Sequence, residues 1–278
     1  MLDTAAIKTI SAEARRRAGI AIPEAQTYLV EARLAPVARS EGYDSQADLV
    51  RALESSKDDR LWRRVVESLA DHETWFFRDP APLDYFMSDI LPVLARVKAR
   101  KSPIRILCAG CGTGQEAWSL AMLMEEQKAR LGSMDIEIVG TDISRRAIER
   151  AQSAAYSQFE VQRGLSIHRL IEHFEPHGQQ WVLKDSIKRW VRFERGNLLK
   201  PAETLGEFDI IFCRNVLSGM TPDARRHSLG MLAERSGTAG YLVLGQGETI
   251  AGAGEIYRAM SGARSVYART METARQAA

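Results

Sequence analysis

Two regimes of hydrophobic spacing divide the chain. Up to about residue 70, apolar positions recur at three and four in IKTISAEARRRAGI, PEAQTYLVEARLAPVARSEGY, SQADLVRALE and DRLWRRVVESLA, punctuated by Gly19, Pro23 and Gly42. That period predicts a small all-helical domain over residues 1–70. From Ile104 onward, short continuous apolar runs alternate with helical patterns: RILCAG, a helix from Glu116, DIEIVGTDI, SRRAIERAQ, FDIIFCRN, TPDARRHSLGMLAER and GYLVLGQGE. Apolar runs of that length between helices predict an α/β fold, a mostly parallel sheet covered on both faces. Between the two regimes, residues 71–103 read as a linker, DHETWFFRDPAPLDYF, and a connecting helix, DYFMSDILPVLARVKAR, that ends before Pro103.

One insert interrupts the alternation, at about residues 156–195. In it QWVLKD and RWVRFE read as strands of a small antiparallel unit whose last arm rejoins the main sheet. The sheet domain is then expected over residues 104–270, with METARQAA at 271–278 as a disordered tail without core pattern.

Composition narrows the class. Hydrophobic residues make up 45% and charged residues 27%, ordinary for a globular protein with a sizeable core. No apolar run approaches a membrane span, and MLDTAAIKTISAEARRR lacks the apolar stretch of a secretion signal, so a cytoplasmic protein without membrane insertion is expected. A formal charge of +2 is too small to argue for nucleic acid. The clusters Arg15, Arg16, Arg17 and Arg60, Arg63, Arg64 read as solvated helix faces. Three cysteines, Cys108, Cys111 and Cys213, argue against a disulfide framework. His168, His173 and His177 read as solvated surface rather than a metal site, and Trp118, Met122 and Met124 as core.

The chemistry-bearing stretch is LCAGCGTGQEAW, where a buried strand runs into Gly110, Gly112 and Gly114 before a helix begins. A glycine turn after the first strand of a doubly wound sheet is a nucleotide-cofactor site. The next strand ends in Asp142, whose carboxylate can accept both ribose hydroxyls. Gly110 and Asp142 lie 32 positions apart, more than the roughly 20 of the dinucleotide fingerprint. The helix also opens with Gln115 and Glu116, and an acid there repels a pyrophosphate but tolerates a cation. S-adenosylmethionine fits both features, having an adenosine ribose, no phosphate, and positive charge on a sulfonium and an amino group. The strand FDIIFC ends in Arg214 and Asn215, at the edge where groups would line such a methyl donor.

At this point HETWFFRD, AGCGTGQEAWSLAM, GTDIS, YSQFEVQRGL, VRFERGNLL and FDIIFCRNV together resemble the CheR family, the chemotaxis-receptor protein-glutamate O-methyltransferases, over roughly residues 5–270. The resemblance implies a Rossmann-like class I methyltransferase domain preceded by a helical one. It implies the cofactor S-adenosyl-L-methionine, the product S-adenosyl-L-homocysteine, and methyl-accepting chemotaxis receptors as partners of a monomer. Carried over by position, Thr74 and Arg78 approach the cofactor from the link, with His72 beside them. Gly110 and Gly112 form the turn, Glu116 and Asp142 hold the polar groups, and Asn197, Leu198, Asn215 and Val216 surround the adenosine side. Arg78 is the residue nearest the methyl transfer. Arg33 and Arg39 lie on the stretch that resembles the receptor-facing helix, and the antiparallel insert is where some family members take a receptor tail by strand addition.

Methyl transfer to a glutamate already ionised near neutral pH needs no general base; alignment carries it, and an arginine can hold the acceptor in bidentate fashion. The chain departs from the family in three places. His72 stands where asparagine is usual, Gln115 where a second acid is common, and FCRNV leads into Leu217, Ser218, Gly219 and Met220 rather than Ile-Tyr-Phe. Gly219 thus replaces a tyrosine near the methyl centre. Two alternatives follow: a non-catalytic relative that binds S-adenosylmethionine or S-adenosylhomocysteine as a signalling module, and a methyltransferase for another protein or a small molecule.

Overall fold

The computed structural model describes residues 2–55, 59–98 and 102–270; the tail reading at 271–278 lies outside them. The helical region contains α1 (Thr4–Ala18), α2 (Thr27–Ser40), α3 (Gln46–Ser55) and α4 (Asp59–Leu69). Asp3 starts α1 by accepting from the Ala6 amide, and Gly19 ends it in the left-handed region. The fourfold spacing of Ala6, Ile10, Ala14 and Ala18 turns one stripe inward. Ile10 packs there with Val30, Leu34, Leu49 and Val65 in a core of its own.

The connecting helix is broken. α5 (Ala81–Tyr85) passes through a π-turn at Phe86–Ile90 into α6 (Leu91–Lys98). Pro92 has no amide hydrogen and its ring crowds the carbonyl four residues back, so the ladder widens there, with the Leu91 amide reaching the Phe86 carbonyl.

The rest of the chain runs β1 (Ile104–Ala109), α7 (Gln115–Glu126), α8 (Lys128–Leu131), β2 (Ile136–Asp142), α9 (Arg145–Ser153), β3 (Ala155–Ser157), α10 (Gln158–Gln162), α11 (Ile167–His173), β4 (Phe174–His177), β5 (Gln180–Leu183), α12 (Asp185–Lys188), β6 (Val191–Arg195), β7 (Phe208–Cys213), α13 (Pro222–Glu234), β8 (Ser236–Leu244), β9 (Tyr257–Ala259) and β10 (Val266–Arg269). The main sheet has the order β6-β2-β1-β7-β8-β10-β9. Its pairings are parallel from β6 to β8, and β10 is antiparallel to both neighbours. The chain steps from β1 to β2 on one side and returns to β7 on the other, which opens a crevice at the carboxyl ends of β1 and β7. Trp118, Met122 and Met124 are buried against the sheet.

The insert differs in detail from its sequence pattern. The RWVRFE strand is β6, paired in parallel with β2 from Ile138↔Val191 to Asp142↔Arg195, so it belongs wholly to the main sheet. The antiparallel unit is β3-β5-β4. β3 is three residues long and β4 exposes Glu175, Pro176 and His177, so neither shows an apolar alternation. His173 is a second difference: only 3% of its side chain is exposed, and Nε2 lies 3.2 Å from Glu126 Oε1. His168 is exposed, as the sequence reading had it.

Candidate active site

The crevice is roofed by the helical region. The Ala21 amide donates to the Gly219 carbonyl at 2.9 Å, and the Thr221 amide donates to the Gly19 carbonyl at 2.9 Å, an antiparallel bridge between the two parts of the chain. Asn197 adds a tie, its Nδ2 donating to the Arg17 carbonyl at 2.7 Å while Oδ1 accepts from the Leu199 amide at 3.0 Å. Beneath this roof lies a cavity of about 350 Å³, with His72, Gly110, Asp142, Asn197, Leu198, Asn215 and Val216 in its walls. A smaller one of about 30 Å³ adjoins it, lined by His72, Thr74, Arg78, Gly110, Gly112, Glu116, Asn215 and Val216. Every site residue singled out from sequence therefore faces one of two adjoining spaces.

The turn after β1 is specified by contact as well as conformation. Gly110 has φ +77, and a Cβ there would lie 2.5 Å from Val216 Cγ2. Asp142, at the end of β2, is buried and accepts from the Gly112 amide at 2.9 Å and from the Ser144 amide at 2.9 Å. His72 sits beside it, with Nδ1 3.4 Å from Asp142 Oδ1 and Nε2 3.1 Å from the Glu67 carbonyl. Burial of the ring opposes its protonation, but the neighbouring carboxylate outweighs burial and holds the His72 pKa above its ordinary value.

At the other end, Glu116 stands in the first turn of α7. Only 14% of its side chain is exposed, and Oε2 accepts from Arg214 Nη1 at 2.8 Å. Burial raises its pKa and Arg214 offsets part of that rise. Arg214 also donates Nη2 to the carbonyls of Arg78 at 2.6 Å and Asp79 at 3.2 Å. It thereby clamps a segment in which Phe77 and Asp79, with φ of 52° and 47°, both take the left-handed conformation. Arg78 donates Nη1 to the Glu73 carbonyl at 3.0 Å, while its Nε is buried with no hydrogen-bond partner among the described residues.

Two further residues organise the site. The sequence placed Arg214 only at a strand edge, without a partner. Glu248, after β8, is singled out by its contacts: its Oε2 accepts from the amides of Asn215 at 2.7 Å and Gly245 at 2.8 Å, and its Oε1 from the Ser218 amide at 2.9 Å. These bonds hold Asn215 at φ +61. An acid shortly after the last central parallel strand, in GQGE, was the available signal.

Arg33 is not a free surface cation. It lines the larger cavity and donates to the Leu69 carbonyl, whereas Arg39, further along α2, is exposed. The basic clusters are largely paired, Arg17 with Glu13 and Asp59, Arg63 with Asp59, and Arg64 with Glu41.

A parallel sheet with this strand order, a glycine turn after its first strand and an acid ending its second define a class I S-adenosylmethionine-dependent methyltransferase. The chain belongs to the CheR methyltransferase family: the family's SAM-binding domain matches residues 72–266 and its all-alpha domain residues 5–70. It is 35% identical over 237 residues to a chemotaxis protein methyltransferase 1 of Vibrio cholerae, covering 84% of this chain and 85% of that one. It is 32% identical over 244 residues to chemotaxis protein methyltransferase Cher2 of Pseudomonas putida, covering 86% and 88%. The solved glycopeptide N-methyltransferase MtfA, complexed with S-adenosylmethionine, overlaps 54% of this chain and 51% of its own at 14% identity and a TM-score of 0.34, a likeness too loose to inform on activity. The protein is thus an S-adenosylmethionine-dependent methyltransferase of chemotaxis. No helix among the described residues is long and apolar enough to cross a membrane.

Proposed function

We propose that this chain methylates glutamate side chains of chemotaxis receptors, giving glutamyl methyl esters. The observation that carries the reading is Arg78, a guanidinium with an unpartnered buried Nε, facing the same small cavity as the buried carboxylate Glu116. One group suits an anionic acceptor and the other a cationic donor.

The residues fit the cofactor. A carboxylate offers about four lone-pair positions, and Asp142 spends two on backbone amides, so its lining of the larger cavity leaves acceptors for ribose hydroxyls. Glu116, raised by burial, gains from a nearby ammonium. Asn197, Leu198, Asn215 and Val216 form the wall for the adenosine side, and Thr74 with His72 closes the link side. When bound, S-adenosylmethionine supplies a methyl group on a sulfonium, and its transfer to a carboxylate leaves a methyl ester and S-adenosylhomocysteine. Arg78 orients the acceptor carboxylate in bidentate fashion. Arg214 fixes the backbone of Arg78, and the helical roof is tied across the crevice by backbone hydrogen bonds. No side chain is required as base, because the acceptor arrives ionised.

The test is radiolabelled methyl transfer to a receptor cytoplasmic fragment, beside calorimetric binding of S-adenosylmethionine. Transfer that is lost in Arg78→Ala, with folding retained, supports the reading; wild-type turnover in that variant refutes the role of Arg78. A second reading, a non-catalytic module that binds the cofactor, is motivated by Gly219, which stands where the resemblance implies a tyrosine and where no described residue fills the space within 4 Å of a Cβ. Binding without transfer in the wild type selects it.

A further inference from the structure

The indole of Trp75 lies between two guanidinium groups. The Arg78 Cζ is 4.1 Å from its ring centroid and the Arg163 Cζ 3.9 Å. Two planar cations that near one centroid fit only on opposite faces. Arg163 is held in addition by Glu73, Nη1 to Oε1 at 2.8 Å, and Arg78 donates to the carbonyl of that same residue at 3.0 Å. Glu73 and Trp75 therefore tie the two arginines together twice.

Arg163 belongs to the insert, directly after α10, and its neighbours grip the same loop. Gly164, at φ +94, approaches so closely that a Cβ would lie 1.8 Å from the Phe76 carbonyl oxygen. Arg169, on α11, lies over the Phe77 ring at 4.0 Å and is itself fixed in a fork to Glu126 at 2.7 and 2.9 Å. The insert thus touches Trp75, Phe76 and Phe77 in succession, immediately before Arg78. The segment it grips needs holding, since Phe77 and Asp79 both take the left-handed conformation, which a bulky side chain such as that of Phe77 avoids.

We infer that Trp75 and Arg163 are positioning residues for Arg78, through which the insert sets the orientation of the guanidinium. The electron-rich faces of the indole attract both cations, and Glu73 offsets the charge of Arg163, so the stack fixes the plane of Arg78 without occupying its Nε. The inference rests on the proposed role of Arg78 as the group that orients the acceptor.

The test reads Arg78 directly, in the full chain, from the nitrogen–proton signals of arginine Nε–H groups, with Arg78→Lys assigning the signal by removing it. The wild type is expected to show a sharp Arg78 signal displaced by the indole ring current. Trp75→Leu should abolish the displacement. Arg163→Ala, a change at an exposed side chain that leaves the fold intact, should move or broaden the signal. Turnover on a receptor fragment should fall about two- to five-fold in Arg163→Ala and roughly ten-fold in Trp75→Leu. Cofactor affinity by calorimetry should stay constant, with Trp75→Phe recovering most of the turnover. An Arg78 signal identical to wild type in both variants overturns the inference, and so does a displaced signal with unchanged turnover. A wild type with the stacked signal and no methyl transfer removes the proposed reaction but leaves the positioning established.

Discussion

Replacing Arg214 by methionine should be a strongly destabilising change in the crevice. Only 2% of the Arg214 side chain is exposed, and it joins Glu116 to the carbonyls of Arg78 and Asp79. Methionine fills much of the volume but leaves Glu116 as a buried charge without its cation. Removing one partner of a buried pair costs about 3–5 kcal/mol, against a total stability on the order of 5–15 kcal/mol. The sign with pH follows from Glu116. Burial already raises its folded-state pKa above the ordinary 4.5, with Arg214 restraining the rise. An acid so raised favours the folded state at low pH, and that contribution is lost as pH climbs through the folded pKa. Without Arg214 the rise is larger, so the penalty should be full near neutral pH and shrink in acid. Urea unfolding of the ligand-free protein at pH values of about 5 and 8 measures it. The double variant Arg214→Met with Glu116→Gln should recover a large part of the loss near neutral pH, because the orphaned charge is gone, yet should not recover cofactor affinity. A single variant within about 0.5 kcal/mol of wild type, or a double variant no better than the single, would show that the pair is not what holds this end of the crevice.

Three further outcomes are expected. Asp142→Ala should weaken S-adenosylmethionine binding by roughly 10²- to 10⁴-fold, the loss of two hydrogen bonds to a charged group, and calorimetry on folded protein would detect it; unchanged affinity would place the ribose elsewhere. Gly219→Tyr should fold with stability within about 0.5 kcal/mol of wild type, because a Cβ there meets nothing within 4 Å; methyl transfer that rises with the new hydroxyl would identify Gly219 as a limit on turnover, and a drop in thermal midpoint of many degrees would contradict the open wall. Because Asp142 holds the His72 pKa above its ordinary value against the effect of burial, His72 contributes stability that is present below about pH 6.5 and lost as pH rises through the folded pKa; urea midpoints across that range should flatten in His72→Asn, and an unchanged pH profile would disconnect the two side chains.

How much of this was legible in the chain follows from what each feature looks like along it. The helical region and the parallel strands were visible because burial imposes a period on consecutive residues, as in Ala6, Ile10, Ala14 and Ala18 or in the unbroken run of FDIIFC. The glycine turn and Asp142 were visible because the β1–α7 turn and the end of β2 fall at fixed places in a doubly wound sheet. The place of Arg33 in the crevice wall was not legible, because α2 has both a solvent-facing and a crevice-facing side, and sequence spacing does not say which one the sheet covers. The small insert strands went unseen because β3 and β4 owe their pairing to β5 rather than to any alternation of their own.

The residues that organise the site were hidden for a different reason. Arg214 bonds the carbonyls of residues 78 and 79, well over a hundred positions earlier, and Glu248 bonds the amides of Asn215, Gly245 and Ser218. Backbone carbonyls and amides are the same at every position, so no residue type in the sequence announces such a pairing. The two side chains also do complementary work. Arg214 satisfies carbonyls on the Arg78 loop, and Glu248 satisfies amides on the Asn215 loop, so each charge fixes one wall of the crevice by bonding to main chain. A substitution at either residue should therefore disturb the shape of its own wall before it disturbs any contact with substrate, and its effect on turnover should exceed its effect on cofactor affinity. Glu248→Gln, which keeps the volume and removes the charge, is the clean instance: a larger fold-change in calorimetric Kd than in kcat would mean that Glu248 serves the cofactor and not the geometry around it.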